Sequence, residues 1–378
     1  ASPFDPRPPP TGVLGLRVPY FIGWFLRGVD HDQDRSFGVV IGSFRHPNRV
    51  SPSKEYNQHY LSLAYSDAKG SGGGNDAVET HTFHSLPAAD AVKITGPGGG
   101  PVQAQPDAAD PDFSWEVARL GSLHVDGDGG ELSFELPELR LAAKFSDRLP
   151  WDCRYPNTAG PEGILARTRL LPLHYFVHSF GSRCVYELKP KGGRAVAGTA
   201  VLHMEANYGN SFPTGWVWAQ GCSDGESDSS DGASSSGGGA SEKTAGSSSS
   251  SSGDGVANDG GDGRAHFVLT GGKFLIGPFT TDSFILGYRS PGLHWDFRTT
   301  ELDRVRTTFS HARRFLRAEA TSRRGERHLE LEIRAPEGSF GNPIYVPTPL
   351  GFSNRPGCIE SYTATATFRC YESDDEGG

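Results

Sequence analysis

Apolar and polar positions alternate with a period of two along much of this chain, in short runs. Leu329, Leu331 and Ile333 fall on one side of such a run, and Glu330, Glu332 and Arg334 on the other. Likewise Tyr362, Ala364, Ala366, Phe368 and Cys370 oppose Thr363, Thr365, Thr367 and Arg369. Alternation of this kind puts successive side chains on opposite faces of a strand. Strand-like runs are predicted at 19–29, 36–45, 57–65, 113–119, 131–136 and 139–145. A second series is predicted at 171–179, 182–189, 194–204, 215–221, 265–270, 272–278, 281–288, 293–298, 313–319, 328–334 and 358–371. Clusters such as Gly70-Ser71-Gly72-Gly73-Gly74 and Gly96-Pro97-Gly98-Gly99-Gly100-Pro101 break regular pairing between runs. No helical period is long enough to predict a helix, so the chain reads as all-β and antiparallel.

The organisation follows from where the alternation stops. Residues 1–17 are Pro-rich and expected to be extended. Residues 18–160 are expected to form a first β-barrel-like half and 161–371 a second. Residues 223–263, mostly Ser, Gly, Asp and Ala, interrupt the second half. They hold too little apolar surface to offset their ordering entropy and are expected to be disordered. They read as a hairpin-loop insertion, because the entropy of loop closure grows only logarithmically with length. Residues 372–378 form an acidic tail. Each half carries a Gly-Trp on a predicted strand, Gly23-Trp24 and Gly215-Trp216, which fits two similar halves.

Composition narrows the function. The chain has 378 residues, and its net charge of −9 argues against a nucleic-acid partner, since clustered positive charge supplies most of that affinity. The Arg-rich run from Arg304 and Arg306 through Arg313, Arg314, Arg317, Arg323, Arg324 and Arg327 reads as solvated strand faces and turns. The five cysteines, Cys153, Cys184, Cys222, Cys358 and Cys370, show neither zinc spacing nor a disulfide framework. Unpaired thiols suit a reducing compartment. No apolar run reaches the length that spans a bilayer as a helix. The opening Ala1-Ser2-Pro3-Phe4-Asp5-Pro6 lacks Met and an apolar signal core, as expected where a targeting segment has been removed.

The chemistry concentrates between His203 and Gln220. Glu205, Asn207 and a turn at Tyr208-Gly209-Asn210 are predicted to close one strand; Trp216, Trp218 and Gln220 alternate along the next and share a face. Two indoles and an amide on one face suit an apolar pocket with a few placed polar groups. The same residues also suit a Trp-rich barrel core with Glu205 on its rim. His174 and His178 share a strand face but lack a third metal ligand nearby, so no metal site is expected. In His294-Trp295-Asp296 the indole opposes the titratable pair, so both cannot line one pocket. Nucleophile-elbow, phosphate-loop and dinucleotide patterns are absent from any strand-to-helix context.

The stretch Glu205-x-Asn207-aromatic-Gly209, followed by Phe212-Pro213-x-x-Trp216-x-Trp218-x-Gln220, resembles the central signature of the tocopherol cyclase family. Two flanking pieces resemble that family in the same order. They are Tyr20-Phe21-Ile22-Gly23-Trp24-Phe25-Leu26-Arg27 near the start, and Gly341-Asn342-Pro343-Ile344-Tyr345-Val346-Pro347-Thr348 with Cys358-Ile359-Glu360-Ser361-Tyr362 near the end. Two positions depart from the pattern: Ile22 stands where the family has Glu, and Ala206 where it has Lys. The resemblance implies a lipocalin-like barrel arrangement and a plastid location, in the stroma or at plastoglobules. It also implies an intramolecular lyase that closes a chromanol ring on a prenylated quinol. A proton adds to the alkene nearest the ring, the phenol oxygen captures the tertiary cation, and no cofactor or metal takes part. Glu205 would supply the acid, since burial beside indoles disfavours the charged carboxylate. Asn207 and Tyr208 complete the expected catalytic set. Trp24, Phe212, Trp216, Trp218, Gln220 and Trp295 are the expected substrate-binding residues, with π faces for the cation. The expected partner is a prenyl lipid, with peripheral contact to lipid bodies or membranes. The departures leave two alternatives: a non-catalytic isoprenoid or pigment carrier, and an isoprenoid hydratase in which water captures the cation.

Overall fold

A computed structural model describes residues 19–46, 56–67, 80–96, 112–151, 160–163, 173–209, 212–213, 215–224, 263–276, 279–348, 350–353 and 357–373. The expected extended start at 1–17, the bulk of the Ser/Gly/Asp insert and the end of the acidic tail lie outside these residues.

The protein is all-β, and every strand pair is antiparallel. The first nine strands are β1 (Tyr20–Asp30), β2 (Arg35–His46), β3 (Tyr56–Asp67), β4 (His81–Ser85), β5 (Val92–Thr95), β6 (Asp112–Val117), β7 (Gly121–Asp126), β8 (Gly129–Glu135) and β9 (Leu139–Ser146). With β10 (Leu173–Pro190) and β11 (Val196–Gly209) they form one 11-stranded sheet in the order β4-β3-β2-β1-β11-β10-β9-β8-β7-β6-β5. The sheet curls on itself like a barrel. Trp24 of β1 packs on Phe113 of β6 at 4.7 Å, and the Trp115 indole donates to Ser43 Oγ of β2 at 3.4 Å. One face of each strand supplies a continuous interior that includes Leu26, Phe37, Val39, Leu63, Leu123, Phe134 and Leu202, all almost fully buried.

The second body begins at β12 (Gly215–Cys222), which pairs with β13 (His266–Ile276), β14 (Phe279–Ser290) and β15 (Leu293–Arg298) in a four-stranded sheet. A second four-stranded sheet joins β16 (Arg304–Ser310), β17 (Phe315–Thr321), β18 (Arg327–Arg334) and the last strand, β21 (Thr365–Glu372). The two pack face to face. Phe267, Leu269, Leu286 and Phe297 from one meet Ala318, Ala320, Leu329 and Leu331 from the other in one buried core. A small hairpin of β19 (Pro347–Thr348) and β20 (Gly351–Phe352) lies in the connection from β18 to β21. Its Phe352 rests on Tyr60 of β3 at 5.3 Å and on Phe44 of β2 at 6.4 Å, so this connection crosses the outer face of the first sheet.

Trp151 joins the two bodies. Its ring packs on Phe180 of β10 at 5.0 Å, its indole N–H donates to Asp296 Oδ2 at 3.0 Å, and its carbonyl accepts from Arg289 Nη2 at 2.8 Å. Gly287 leaves room for it, because a Cβ there would lie 2.4 Å from the indole.

The expected division at residue 160 is corrected. β10 and β11 complete the first sheet, with β11 pairing to β1 from Phe21↔Gly209 to Val29↔Val201. The boundary therefore falls between Gly209 and Gly215. The runs predicted at 171–179 and 182–189 are one strand that continues through Gly181 by shifting register between Val177 and Ser182. Those at 265–270 and 272–278 are likewise one strand through Gly271 and Gly272. The strands flanking the insert pair up to Cys222↔His266, and Ser223 and Ala265 exchange two further hydrogen bonds, as a hairpin insertion requires. Most of the Arg-rich run is exposed or in surface ion pairs, such as Arg317 with Glu319 at 2.9 Å.

Candidate functional site

β1, β11, β12 and the connection before β21 enclose two adjoining cavities on the outer face of the curled sheet. The alternation of β1 and β11 decides which side chains reach them. Ile22, Trp24, Ala206 and Tyr208 carry their side chains into the curled sheet, whereas Phe25 and Glu205 face outward towards β12. The inner cavity has a volume of about 140 Å³; Phe25, Tyr60, Tyr175, Glu205, Asn207, Phe212, Trp216 and Trp218 are among its walls. The outer cavity, about 880 Å³, runs between the bodies and is bordered by Leu316, Phe340, Ile333 and Phe368. Phe25, Trp216, Trp218, Cys358 and Glu360 border both, and so lie where the two cavities adjoin.

The aromatic wall is ordered by ring contacts. Trp218 meets Phe25 edge to face at 4.3 Å, and Trp216 meets Phe212 in the same way at 4.7 Å. On the opposite face of β12, Val217 and Ala219 pack into the core of the second body. One strand thus seals a core with one side and lines the cavity with the other.

Two carboxyls face this space. Glu205 is buried; its Oε2 accepts from the Tyr175 hydroxyl and lies 2.9 Å from His203 Nε2. Burial and the Glu205 charge hold Tyr175 well above the ordinary phenol range, so it stays an O–H donor. Glu360 lies opposite, and its Oε2 accepts from the Tyr362 hydroxyl at 2.9 Å. It is partly buried and borders both cavities. Burial pushes the Glu360 carboxyl up to about 7; the charge of Glu205 adds to the rise, while the Tyr362 hydrogen bond and Arg27 oppose it. Arg27 holds the far side of Tyr362, donating to the Tyr362 carbonyl at 3.0 Å and to the Gln220 carbonyl at 3.0 Å, with its guanidinium 5.7 Å from the Tyr362 ring. Burial also raises the Cys358 thiol, which leaves it neutral rather than a thiolate nucleophile.

The structure brings together Glu205, Asn207, Phe212, Trp216 and Trp218 at the inner cavity. Gln220 borders only the outer one. Two expectations are corrected, Tyr208 and Trp295, and Trp24 keeps only a place on the wall. Trp24 borders the inner cavity, but its indole turns into the curled sheet, where it meets Phe113 and, at 6.1 Å, His178. Tyr208 alternates away from Glu205 and stacks on His174 at 5.0 Å and Phe176 at 5.7 Å inside the sheet. Trp295 lies in the core of the second body against Phe297, reaching neither cavity. Its neighbour Asp296 is structural: burial alone would raise it, but Arg289 and Arg298, at 2.7 and 2.6 Å, hold it below the usual carboxylate range.

Ile22 and Ala206 both point into the apolar interior, away from Glu205. His174 is bonded to Glu162 at 2.8 Å and His178 lies 3.3 Å from Arg148. Among the described residues, no cluster of three or more His, Cys, Asp or Glu is placed to hold a metal ion.

Sequence reasoning missed Glu360 as a site residue, along with Tyr175 and Arg27 around the carboxyls. The signal for Glu360 was its place between Cys358 and Tyr362 in an otherwise closing segment. A lone acid there reads as a solvated residue until the fold lays β12 over it. The chain matches no protein-family model and no curated protein sequence.

Proposed function

We propose that the protein closes a chromanol ring on a prenylated quinol, as a tocopherol cyclase-like intramolecular lyase. The observation that carries this reading is the inner cavity itself: carboxyl groups set into a wall of indole and phenyl rings. Protonating an alkene needs a neutral acid in a dry site, and the resulting tertiary cation needs π faces in place of water. Trp216, Trp218 and Phe25 supply those faces, and Asn207 supplies an amide within the same wall for a quinol oxygen. The outer cavity lies within the size range of ligand sites and gives an apolar tail somewhere to go. Reactant and product are isomers, so these groups need only move a proton.

Incubating the purified chain with a phytyl benzoquinol and separating the products by chromatography tests the reading. Chromanol above the enzyme-free control is expected. Unchanged quinol retained by the protein would instead make it a carrier, and a hydroxylated open-chain product would make it a hydratase.

A further inference from the structure

Resting on the ring-closing reading, we propose that Glu360, where the two cavities adjoin, is the group that protonates the alkene, while the quinol ring sits in the inner cavity beside Glu205 and the tail lies in the outer one.

Size fixes the orientation. A cavity of roughly 150 Å³ accommodates a single six-membered ring such as benzene, and the inner cavity is about 140 Å³. A long isoprenoid tail fits only the outer cavity of about 880 Å³. A ligand laid this way crosses from one cavity to the other next to its ring, which is where the reacting alkene lies. Glu360 borders both cavities at that crossing, whereas Glu205 borders only the inner one.

The hydrogen bonds divide the labour in the same sense. Glu205 Oε2 is already engaged, accepting from the Tyr175 hydroxyl and lying 2.9 Å from His203 Nε2. Among the described residues Glu360 has one side-chain donor, Tyr362, and the charged or titratable groups coupled to it are Tyr362, Glu205, Arg27, Cys358 and Tyr60. Its carboxyl remains protonated up to about pH 7.

The proton count closes. The Glu360 O–H bond breaks and a C–H bond forms at the alkene carbon nearer the ring, leaving a tertiary cation on the next carbon. The phenol oxygen forms the C–O bond and its proton passes to Glu205. A proton then returns from Glu205 to Glu360, and the product has the formula of the substrate.

The test compares Glu360→Gln with the native chain on a phytyl benzoquinol. Turnover is expected to fall ~10²–10⁴-fold, the usual worth of a general acid, while quinol affinity, read by Trp fluorescence quenching, changes less than about threefold. Glu360→Asp should recover part of the rate, and native turnover should decline as pH rises past about 7. A Glu360→Gln loss below ~100-fold, or a native rate that is flat across that pH, overturns the assignment. Infrared titration supplies a readout independent of turnover. A protonated-carboxyl band that disappears near pH 7 in the native protein, and is missing in Glu360→Gln, is expected; its absence from the native protein overturns the assignment. Native protein that shows the band but makes no chromanol would instead refute the ring-closing reading.

Discussion

Glu205 and Glu360 differ in what surrounds them more than in what they are. The first is tied to Tyr175 and His203 in a buried cluster, and the second accepts from the Tyr362 phenol and borders both cavities. Glu205→Gln removes the proton acceptor and should lower turnover ~10²-fold or more with little change in quinol affinity. Trp216→Leu should weaken affinity and rate together, because it removes cavity wall as well as a π face; steady-state kinetics with a binding titration separates the two patterns. Glu360 also predicts a stability signature. Its carboxyl rises from 4.5 to about 7, so the folded state binds more protons than the unfolded state between those values. The stabilisation is fully present below about pH 4.5 and is lost as pH rises through about 7. Relative to Glu360→Gln, the native chain should therefore lose about 3 kcal/mol across that window, as measured by denaturant unfolding at each pH.

Strands were legible where alternation was clean, as in β18 and the later part of the run predicted at 358–371, which becomes strand only from Thr365, and illegible where polar residues filled a short strand. β4 (His81–Ser85), β5 (Val92–Thr95), β7 (Gly121–Asp126) and β16 (Arg304–Ser310) carry too few apolar residues to announce themselves. β16 was also masked by its arginines, which simply face solvent while Val305 enters the core. Glycines misled in the opposite direction. Gly271 and Gly272 looked like breaks, yet the strand needs them for close approach: a Cβ would fall 2.3 Å from the Ser283 carbonyl oxygen at the first and 2.3 Å from that of Gly215 at the second. Gly38 plays this part for the site, since a Cβ there would lie 2.2 Å from the Tyr362 hydroxyl oxygen. Gly38→Ala should displace the ring that holds Glu360, costing about 1–3 kcal/mol by overpacking and lowering turnover with it. Native stability with an unchanged rate would show that the ring has room to move. At the insert, replacing residues 225–262 with a short turn should leave the melting temperature within about 5 °C of native, because the strands on either side already pair.

At the scale of the molecule, the site exists because two bodies meet. β1 and β11, about 180 residues apart, lie side by side in register, and no local pattern could reveal that pairing. The same gap in local information placed the boundary at 160 and made Gly23-Trp24 and Gly215-Trp216 look like counterparts. In the structure, Trp24 fills the first core and Trp216 walls the cavity. The motif from Glu205 to Trp218 was legible as a site because it is local: one strand end, a bend and the next strand, with its rings and carboxylate on facing surfaces. Glu360 arrives from the far end of the chain. The measurement that bears most directly on the whole account is the reaction of the native protein with a phytyl benzoquinol in D₂O, followed by mass and chiral analysis of the product. A single enantiomer of chromanol, carrying one deuterium on the ring carbon that was the protonated alkene carbon, is the predicted result. Unreacted quinol, or racemic chromanol at the enzyme-free rate, would contradict it.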